Sequence, residues 1–128
     1  TEAQRQFLET PFVGVVTDLR PDGSPHSTIV WVDVDDGGVS FNTAHGRAKP
    51  TYIANDSRVS LTVVDPEDPY RWLSVSGTAT LVDEDADDHI DRLAKKYIGA
   101  DSYPFRQPGE QRVSVRIAVE KIDGRGLD

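Results

Sequence analysis

The chain has 128 residues, of which 37% are hydrophobic and 28% charged, and its formal net charge is −8 at pH 7. This length and composition predict one domain with a single core, spanning residues 1–128. The absence of cysteine excludes disulfides, thiol catalysis and cysteine-ligated metal, and the acidic balance argues against nucleic acid as a partner, because phosphate backbones require a basic surface.

The chain offers no membrane-spanning or secretion signal. No stretch approaches the roughly 18 apolar residues that a membrane helix needs. Its first nine residues, T-E-A-Q-R-Q-F-L-E, are polar and helical in pattern, unlike a signal peptide. We therefore expect a cytoplasmic protein with no membrane partner.

The first third of the chain predicts a helix followed by two strands. A short helix covers residues 1–9, and a valine-rich buried strand follows over residues 12–18. The turn at 20–24 contains Pro and Asp-Gly, which suit its central positions. A second strand is expected over residues 25–34, and the Asp-Asp-Gly-Gly sequence at 35–38 predicts a hairpin.

The rest of the chain alternates strands with two helices. Strands are expected over 39–43, 58–64, 71–82 and 111–122, and Gly77 within the long third one indicates a bulge. A short helix is predicted at about 48–56, a longer one over 83–98, and an irregular loop over 99–110. Six strands joined mostly by tight turns predict a mainly β (α+β) fold, a small closed antiparallel barrel with two to three short helices.

The stretch from residue 39 to 57 is the strongest candidate for a binding site. A strand ends near Asn42 and Thr43, the chain breaks at His45-Gly46, and a helix begins around Pro50, which suits a first helical turn. Arg47 and Lys49 flank that helix start, where unpaired N–H groups and the helix dipole favour an anion. This arrangement predicts a phosphate site. The alternative is a solvated surface loop, because such cations are common on protein surfaces.

The three histidines are too scattered for a metal site, and none is expected. His26 is expected in a turn and His89 on the acidic face of a helix, both solvated. His45 lies beside the predicted phosphate site and is the candidate proton donor. The chain contains no G-x-S-x-G hydrolase motif and no G-x-G-x-x-G dinucleotide motif.

Several sequence pieces together resemble a known family. The D-G-S-P-H turn, the segment R-A-K-P-T-Y-I-A-N-D-S-R-V and the strand W-L-S-V-S-G-T-A are similar to the split-barrel proteins of the pyridoxamine-phosphate-oxidase-like superfamily. Within it, the chain most resembles the flavin/deazaflavin oxidoreductases of branch B that use coenzyme F-420. The resemblance covers about residues 5–126 and implies the FMN-binding split-barrel fold.

The resemblance also implies a site. Members are homodimers whose cofactor lies in a groove between the subunits. Positions that match the phosphate grip are Arg47, Ala48 and Lys49, with Asn42 and Thr43 beside the phosphate and ribityl chain. The strand along the ring is matched by Ser27, Thr28, Ile29, Val30 and Trp31, and the partner subunit's contribution by Tyr70 and Trp72. The alternative is that both tryptophans lie in the core.

The implied activity is hydride transfer from reduced F-420 to a small planar conjugated substrate, such as a quinone, an enone or a tetrapyrrole-like molecule. The cofactor supplies this chemistry, so no catalytic residue beyond His45 is suggested. Two alternatives stay open: a non-catalytic protein that binds F-420 or FMN, and an FMN-dependent oxidase or flavin reductase. Candidates for contact with the acidic tail of F-420 are Arg58, Arg71, Arg112, Arg116 and Arg125.

Overall fold

A computed structural model describes residues 1–127, in which three helices and seven strands are formed. The helices are α1 (Glu2–Glu9), α2 (Ala48–Asn55) and α3 (Ala86–Ile98). The strands are β1 (Gly14–Leu19), β2 (Pro25–Val30), β3 (Asp33–Asp35), β4 (Gly38–Ala44), β5 (Arg58–Asp65), β6 (Asp68–Val82) and β7 (Arg112–Arg125). None of these helices is both long and apolar enough to cross a membrane.

The strands form one antiparallel sheet in the order β2-β1-β5-β6-β7-β4-β3. This confirms the predicted mainly antiparallel split-barrel architecture. Two details of the prediction were wrong. The described chain has seven strands rather than six, and no ladder pairs the edge strands β2 and β3, so the barrel is not closed.

The chain breaks between β2 and β3 because side chains of α3 bind backbone groups that a continuous strand would have paired. The Val32 N–H donates to the Tyr97 hydroxyl at 2.9 Å, and the Val32 carbonyl accepts from Lys96 Nζ at 2.6 Å. The same hydroxyl donates to the Phe12 carbonyl at 2.7 Å. Since these backbone groups are satisfied by side chains, the predicted strand over 25–34 stops at Val30 and restarts at Asp33.

The core lies on the concave side of the sheet and follows the predicted alternation. Inward side chains such as Val16, Phe41, Leu61 and Leu73 are at most 1% exposed. The predicted bulge at Gly77 is confirmed by a shift of the β6–β7 register between Ser76 and Gly77. A Cβ at Gly77 would lie 1.9 Å from the Ala118 carbonyl oxygen, so only glycine allows this close approach.

Three predicted boundaries differ from the structure for identifiable reasons. The third helix begins at Ala86 instead of residue 83, because Asp85 adopts a left-handed conformation with φ of 58°. The long strands β6 and β7 extend beyond the predicted 71–82 and 111–122. Their ends pair with each other, and Trp72 lies opposite Arg125 in the ladder where a free tail was expected.

The Tyr97 hydroxyl is predicted to contribute measurably to stability. Replacing Tyr97 by Phe leaves the Val32 N–H and the Phe12 carbonyl without this partner, which we expect to cost about 1–3 kcal/mol. Urea denaturation at neutral pH measures the free energy of unfolding. Tyr70→Phe is the matched control, since Tyr70 is 70% exposed. Equal stability of the two variants would contradict the role assigned to Tyr97.

Candidate functional site

The start of α2 forms an anion-binding arrangement from local sequence alone. Arg47 is the N-cap, and no side chain caps the helix within the described residues. Pro50 occupies the third helical position, as predicted. The main-chain N–H groups of Ala48 and Lys49 belong to the first turn, where an α-helix has no internal acceptor for them. Backbone donors and two cationic side chains therefore meet at one helix end.

A cleft of about 200 Å³, open to solvent, lies beside this helix end. It brings together eight of the residues singled out from the sequence, drawn from β2 and the residue after it, from β4, from the α2 start and from β7. Four further lining residues come from α3 and from the loop between α3 and β7. The first group is Ile29, Val30, Trp31, Asn42, Thr43, Arg47, Lys49 and Arg112, and the second is Ile90, Leu93, Tyr103 and Phe105.

The polar side of the cleft carries more positive than negative charge, although the chain as a whole is acidic. Burial lowers the pKa of Lys49, with the positive charges of Arg47 and Arg112 acting in the same direction and Asp18 opposing them. The counter-ion is Glu110, which pairs with Arg112 and lies 3.7 Å from Arg47. An added anion relieves the mutual repulsion of these three cations.

The charge of Glu110 is fixed by the same contacts. Burial acts to raise its pKa, but hydrogen bonds from Arg112 and the Gln107 N–H, together with the charges of Arg112 and Arg47, lower the pKa below its usual value. Glu110 is therefore ionised at neutral pH. It neutralises one of the three cations and leaves the cleft with a net positive charge.

One polar atom in the cleft wall has no partner. Thr43 is 1% exposed, and its Oγ1 makes no hydrogen bond within the described chain. A buried hydroxyl without a partner is costly, since its hydrogen-bonding capacity is lost on leaving water. Because Thr43 lines the cleft next to the cations, a ligand oxygen placed there would satisfy it.

Another part of the cleft lining is aromatic. The Trp31 ring stacks on Tyr97 with centroids 5.5 Å apart and planes 6° from parallel, and it meets the edge of Tyr103 at 6.1 Å. Tyr103 in turn packs against Phe105 at 5.7 Å. Phe105 is 59% exposed at the cleft. This side offers a flat apolar surface suited to a ring system.

The sequence interpretation missed Tyr103 and Phe105 as part of the candidate site. They belong to the irregular 99–110 loop, where no periodicity identifies a facing surface. The loop is held to α3 by Asp91, whose Oδ1 accepts from the Tyr103 N–H at 2.8 Å and from Arg106 at 3.1 Å. Two aromatic residues on either side of Pro104 were the available signal.

The remaining predicted residues lie elsewhere. Ser27 is exposed and its hydroxyl is 2.9 Å from that of Thr17, whereas the Thr28 hydroxyl is buried without a partner in the described chain. Ala48 is exposed at the first helical position. Tyr70 and Trp72 are not among the described residues that line this cleft; Tyr70 packs its ring against Arg125 at 5.8 Å.

Two of the three histidine predictions were wrong. His89 is not solvated but 5% exposed, with polar contacts to β3, β4 and β7. His26 lies in β2 rather than in a turn, and its Nδ1 is 2.7 Å from the fully buried Asp18. His45 is exposed beside the α2 start and pairs with Asp83 at 2.6 Å.

Among the arginines considered for an acidic tail, Arg112 alone is one of the described cleft residues. The guanidinium groups of three others pair with nearby carboxylates, at distances of 2.7 to 3.0 Å: Arg58 with Asp56, Arg71 with Asp65, and Arg116 with Asp35. An anionic ligand would have to compete with these partners.

Comparison with known proteins places this geometry in a family. The pyridoxamine 5'-phosphate oxidase family matches the chain over residues 1–126. The chain belongs to the pyridoxamine 5'-phosphate oxidase family. This confirms the family resemblance drawn from the D-G-S-P-H turn, the R-A-K segment and the S-G-T-A strand.

The chain is similar to a protein named as an F-420H(2)-dependent biliverdin reductase of Mycobacterium tuberculosis. The two are 30% identical over 120 residues, which cover 92% of this chain and 82% of the relative. A solved structure described as an F-420 reductase superposes with a TM-score of 0.81 at 26% identity, covering 93% of this chain and 94% of that one. A conserved hypothetical protein of the same bacterium superposes with a TM-score of 0.77 at 26% identity, covering 98% and 84%.

Asp33, which contacts His89, is predicted to make stability depend on pH in the acid range. Burial acts to raise its pKa, but hydrogen bonds from His89 and Arg92 lower the pKa to about 2. The stabilisation is therefore present above about pH 4 and is lost as the pH falls through about 2. We expect Asp33→Asn to reduce the acid-induced loss of unfolding free energy by roughly 1–2 kcal/mol.

The measurement is urea unfolding of wild type and of Asp33→Asn at about pH 5 and about pH 2.5. Asp36→Asn is the control, because the Asp36 side chain lies in the adjacent turn and is 97% exposed. An acid loss that is the same in wild type and Asp33→Asn would refute the assignment.

Proposed function

We propose that this protein is a coenzyme F-420-dependent oxidoreductase that transfers a hydride to a small planar conjugated substrate. The observation that carries the proposal is the cleft itself. One side presents Arg47, Lys49 and a helix N-terminus, and the other presents Trp31 and Phe105 in an aromatic row. A deazaflavin has the matching halves, a phosphate and a flat ring.

The relatives support the same choice of cofactor. The relative from Mycobacterium tuberculosis and one of the superposing structures are both named for F-420. Both matches cover more than nine-tenths of this chain. The name of the first also supports a linear or cyclic conjugated acceptor of the tetrapyrrole type as the substrate class.

The chain's own residues would hold the cofactor at two ends. Arg47, Lys49 and the first N–H groups of α2 would bind the phosphate, with the Thr43 hydroxyl and Asn42 beside it. The backbone and side chains of β2 from Ser27 to Trp31 would lie along the ring. The unpartnered Thr43 Oγ1 is the observation within this chain that fits such a ligand.

When bound and reduced, the deazaflavin supplies the hydride. The protein's task is then to bind, to orient and to exclude water. Trp31, Tyr103 and Phe105 form the apolar wall that performs the last of these. The substrate can take a proton from solvent, so this scheme requires no fixed acid. The exposed His45 is already paired with Asp83.

We also propose that two copies of the chain form the working unit. The outer face of the sheet carries exposed aliphatic side chains that lie together, since Val15 pairs with Ile29 in the β1–β2 register. Their exposed fractions are 49% for Val13, 40% for Val15, 62% for Ile29 and 44% for Val64. A second copy covering this face would extend the cleft at Ile29 and could bring the partner subunit's Tyr70 and Trp72 to it.

Lys49 is predicted to bind the cofactor phosphate. We expect Lys49→Ala to weaken binding of F-420 by roughly 1.5–3 kcal/mol, the range for a hydrogen bond to a charged group. Equilibrium titration followed by fluorescence measures the dissociation constant. Lys95→Ala is the control, because Lys95 is exposed near the end of α3. An unchanged dissociation constant for Lys49→Ala would exclude the phosphate site.

The same titration with wild type separates the alternatives. Tight binding of F-420 with much weaker FMN supports the proposal and directs attention to hydride transfer onto quinones, enones and tetrapyrroles. The reverse preference identifies an FMN-dependent oxidase or flavin reductase, whose phosphate would use the same residues. Tight binding with no transfer to any of these acceptors identifies a non-catalytic carrier.

The proposed dimer predicts a specific disruption. Val15→Glu places a charge at the centre of the exposed aliphatic face, and we expect it to convert a dimer into a monomer, because an unpaired buried carboxylate is strongly unfavourable. Light scattering coupled to size-exclusion chromatography measures the mass. Ile98→Glu is the control, since Ile98 is 48% exposed on α3. A dimer that survives Val15→Glu would place the interface elsewhere.

A further inference from the structure

His89 is the most extensively bound buried polar side chain outside the cleft. It lies on α3, is 5% exposed, and contacts polar groups on three strands. Its Nδ1 is 2.8 Å from Ser114 Oγ and 3.2 Å from Asn42 Nδ2. Its Nε2 is 3.2 Å from Ser40 Oγ and 3.4 Å from Asp33 Oδ2.

These contacts determine which ring nitrogen carries the proton. The Asn42 amide is oriented by two other partners, since its Oδ1 accepts from Arg112 Nε at 2.8 Å and its Nδ2 donates to the Ala86 carbonyl at 2.8 Å. Nδ2 is therefore a donor toward His89, and Nδ1 must be the acceptor. The proton of neutral His89 is on Nε2, where it faces the ionised Asp33.

The Asn42 amide connects this buried ring to the cleft. Asn42 lines the cleft, and its oxygen fixes Arg112, a cleft residue that is 4% exposed. Arg112 is further held by Glu110, and its guanidinium lies 5.1 Å from the centre of the Tyr103 ring. The chain of contacts thus runs from Asp33 through His89 and Asn42 to Arg112.

We propose that His89 is a positioning residue whose Nδ1 acceptor holds Asn42, and through it Arg112, in the orientation required for ligand binding. The proposal rests on the proposed function, because it takes Arg112 to be part of a cofactor site. His89 itself does not line the cleft among the described residues.

The effect of losing this acceptor follows from donor and acceptor counting. Without an acceptor at the Nδ1 position, the Asn42 NH₂ group keeps the Ala86 carbonyl as its described partner, and the amide is held less firmly. If the amide turns, its oxygen leaves Arg112 Nε, and its NH₂ group faces a cation that offers no acceptor.

A hydrolytic role for the Ser114–His89–Asp33 group does not fit this geometry. Ser114 and His89 are 6% and 5% exposed, so an attacking oxygen would have no access to a substrate carbonyl. The Nδ1 that would activate Ser114 is shared with the Asn42 amide. The contacts instead suit a fixed internal hydrogen-bond network.

The first test reads the network without any cofactor. Proton–nitrogen correlation spectra of wild type show which imidazole nitrogen carries the proton, and we expect a bare Nδ1 on His89. We also expect the Asn42 side-chain NH₂ resonances to shift in His89→Leu, which offers no acceptor, and to stay close to those of wild type in His89→Asn. A proton on Nδ1 in wild type, or Asn42 resonances that are the same in both variants, would overturn the proposal.

The second test measures binding of F-420 to wild type and to the same two variants. His89→Asn places an amide oxygen near the former Nδ1 position and so keeps an acceptor for Asn42. We expect His89→Asn to bind F-420 about as tightly as wild type, and His89→Leu to bind it about three- to tenfold more weakly.

The outcomes distinguish this proposal from the proposed function. Wild type that binds neither F-420 nor FMN, with the expected spectra, would refute the cofactor site and retain the positioning of Asn42. Equal affinity of wild type and folded His89→Leu would refute the effect of His89 on binding. Thermal unfolding of each variant establishes that the compared proteins are folded.

Discussion

The capture of the Val32 backbone by the end of α3 is the interaction on which the site depends. Lys96 and Tyr97 satisfy groups that would otherwise continue a strand, and so the sheet opens between β2 and β3. The Lys96 ammonium is held by two backbone carbonyls, and burial lowers its pKa. The stacking of Trp31 on Tyr97 directs the tryptophan to the cleft.

The position of α3 has two further consequences. The helix brings Ile90 and Leu93 to the cleft and fixes the following loop through Asp91, which places Tyr103 and Phe105 in the cleft lining. It also inserts His89 against the outer side of β4 and β7, where Asn42 and Ser114 lie directly opposite each other in the ladder. One helix thus supports the apolar wall and the polar wall together.

An acidic chain can contain a cationic site because the charges are distributed unevenly. Most of the other cations pair with a carboxylate close by, as Arg58 does with Asp56 and Arg71 with Asp65. At the cleft, Arg47 and Arg112 share the carboxylate of Glu110, and Lys49 has no carboxylate partner among the described residues. The positive field of these side chains favours an anion locally, although the chain as a whole is acidic.

Sequence pattern alone predicts the order of the elements, the inward faces of the strands, the bulge at Gly77 and the cationic start of α2. All of these depend on residues a few positions apart, for which periodicity, turn chemistry and helix-end geometry suffice. Tertiary structure decided the split after Val30, the burial of His89, and the roles of Tyr103, Phe105 and Arg112. The partners of these residues are distant in the chain, as Val32 and Tyr97 are by 65 positions. The local sequence pattern cannot predict such contacts, because a polar residue gives the same pattern whether it is solvated or hydrogen-bonded to a buried hydroxyl.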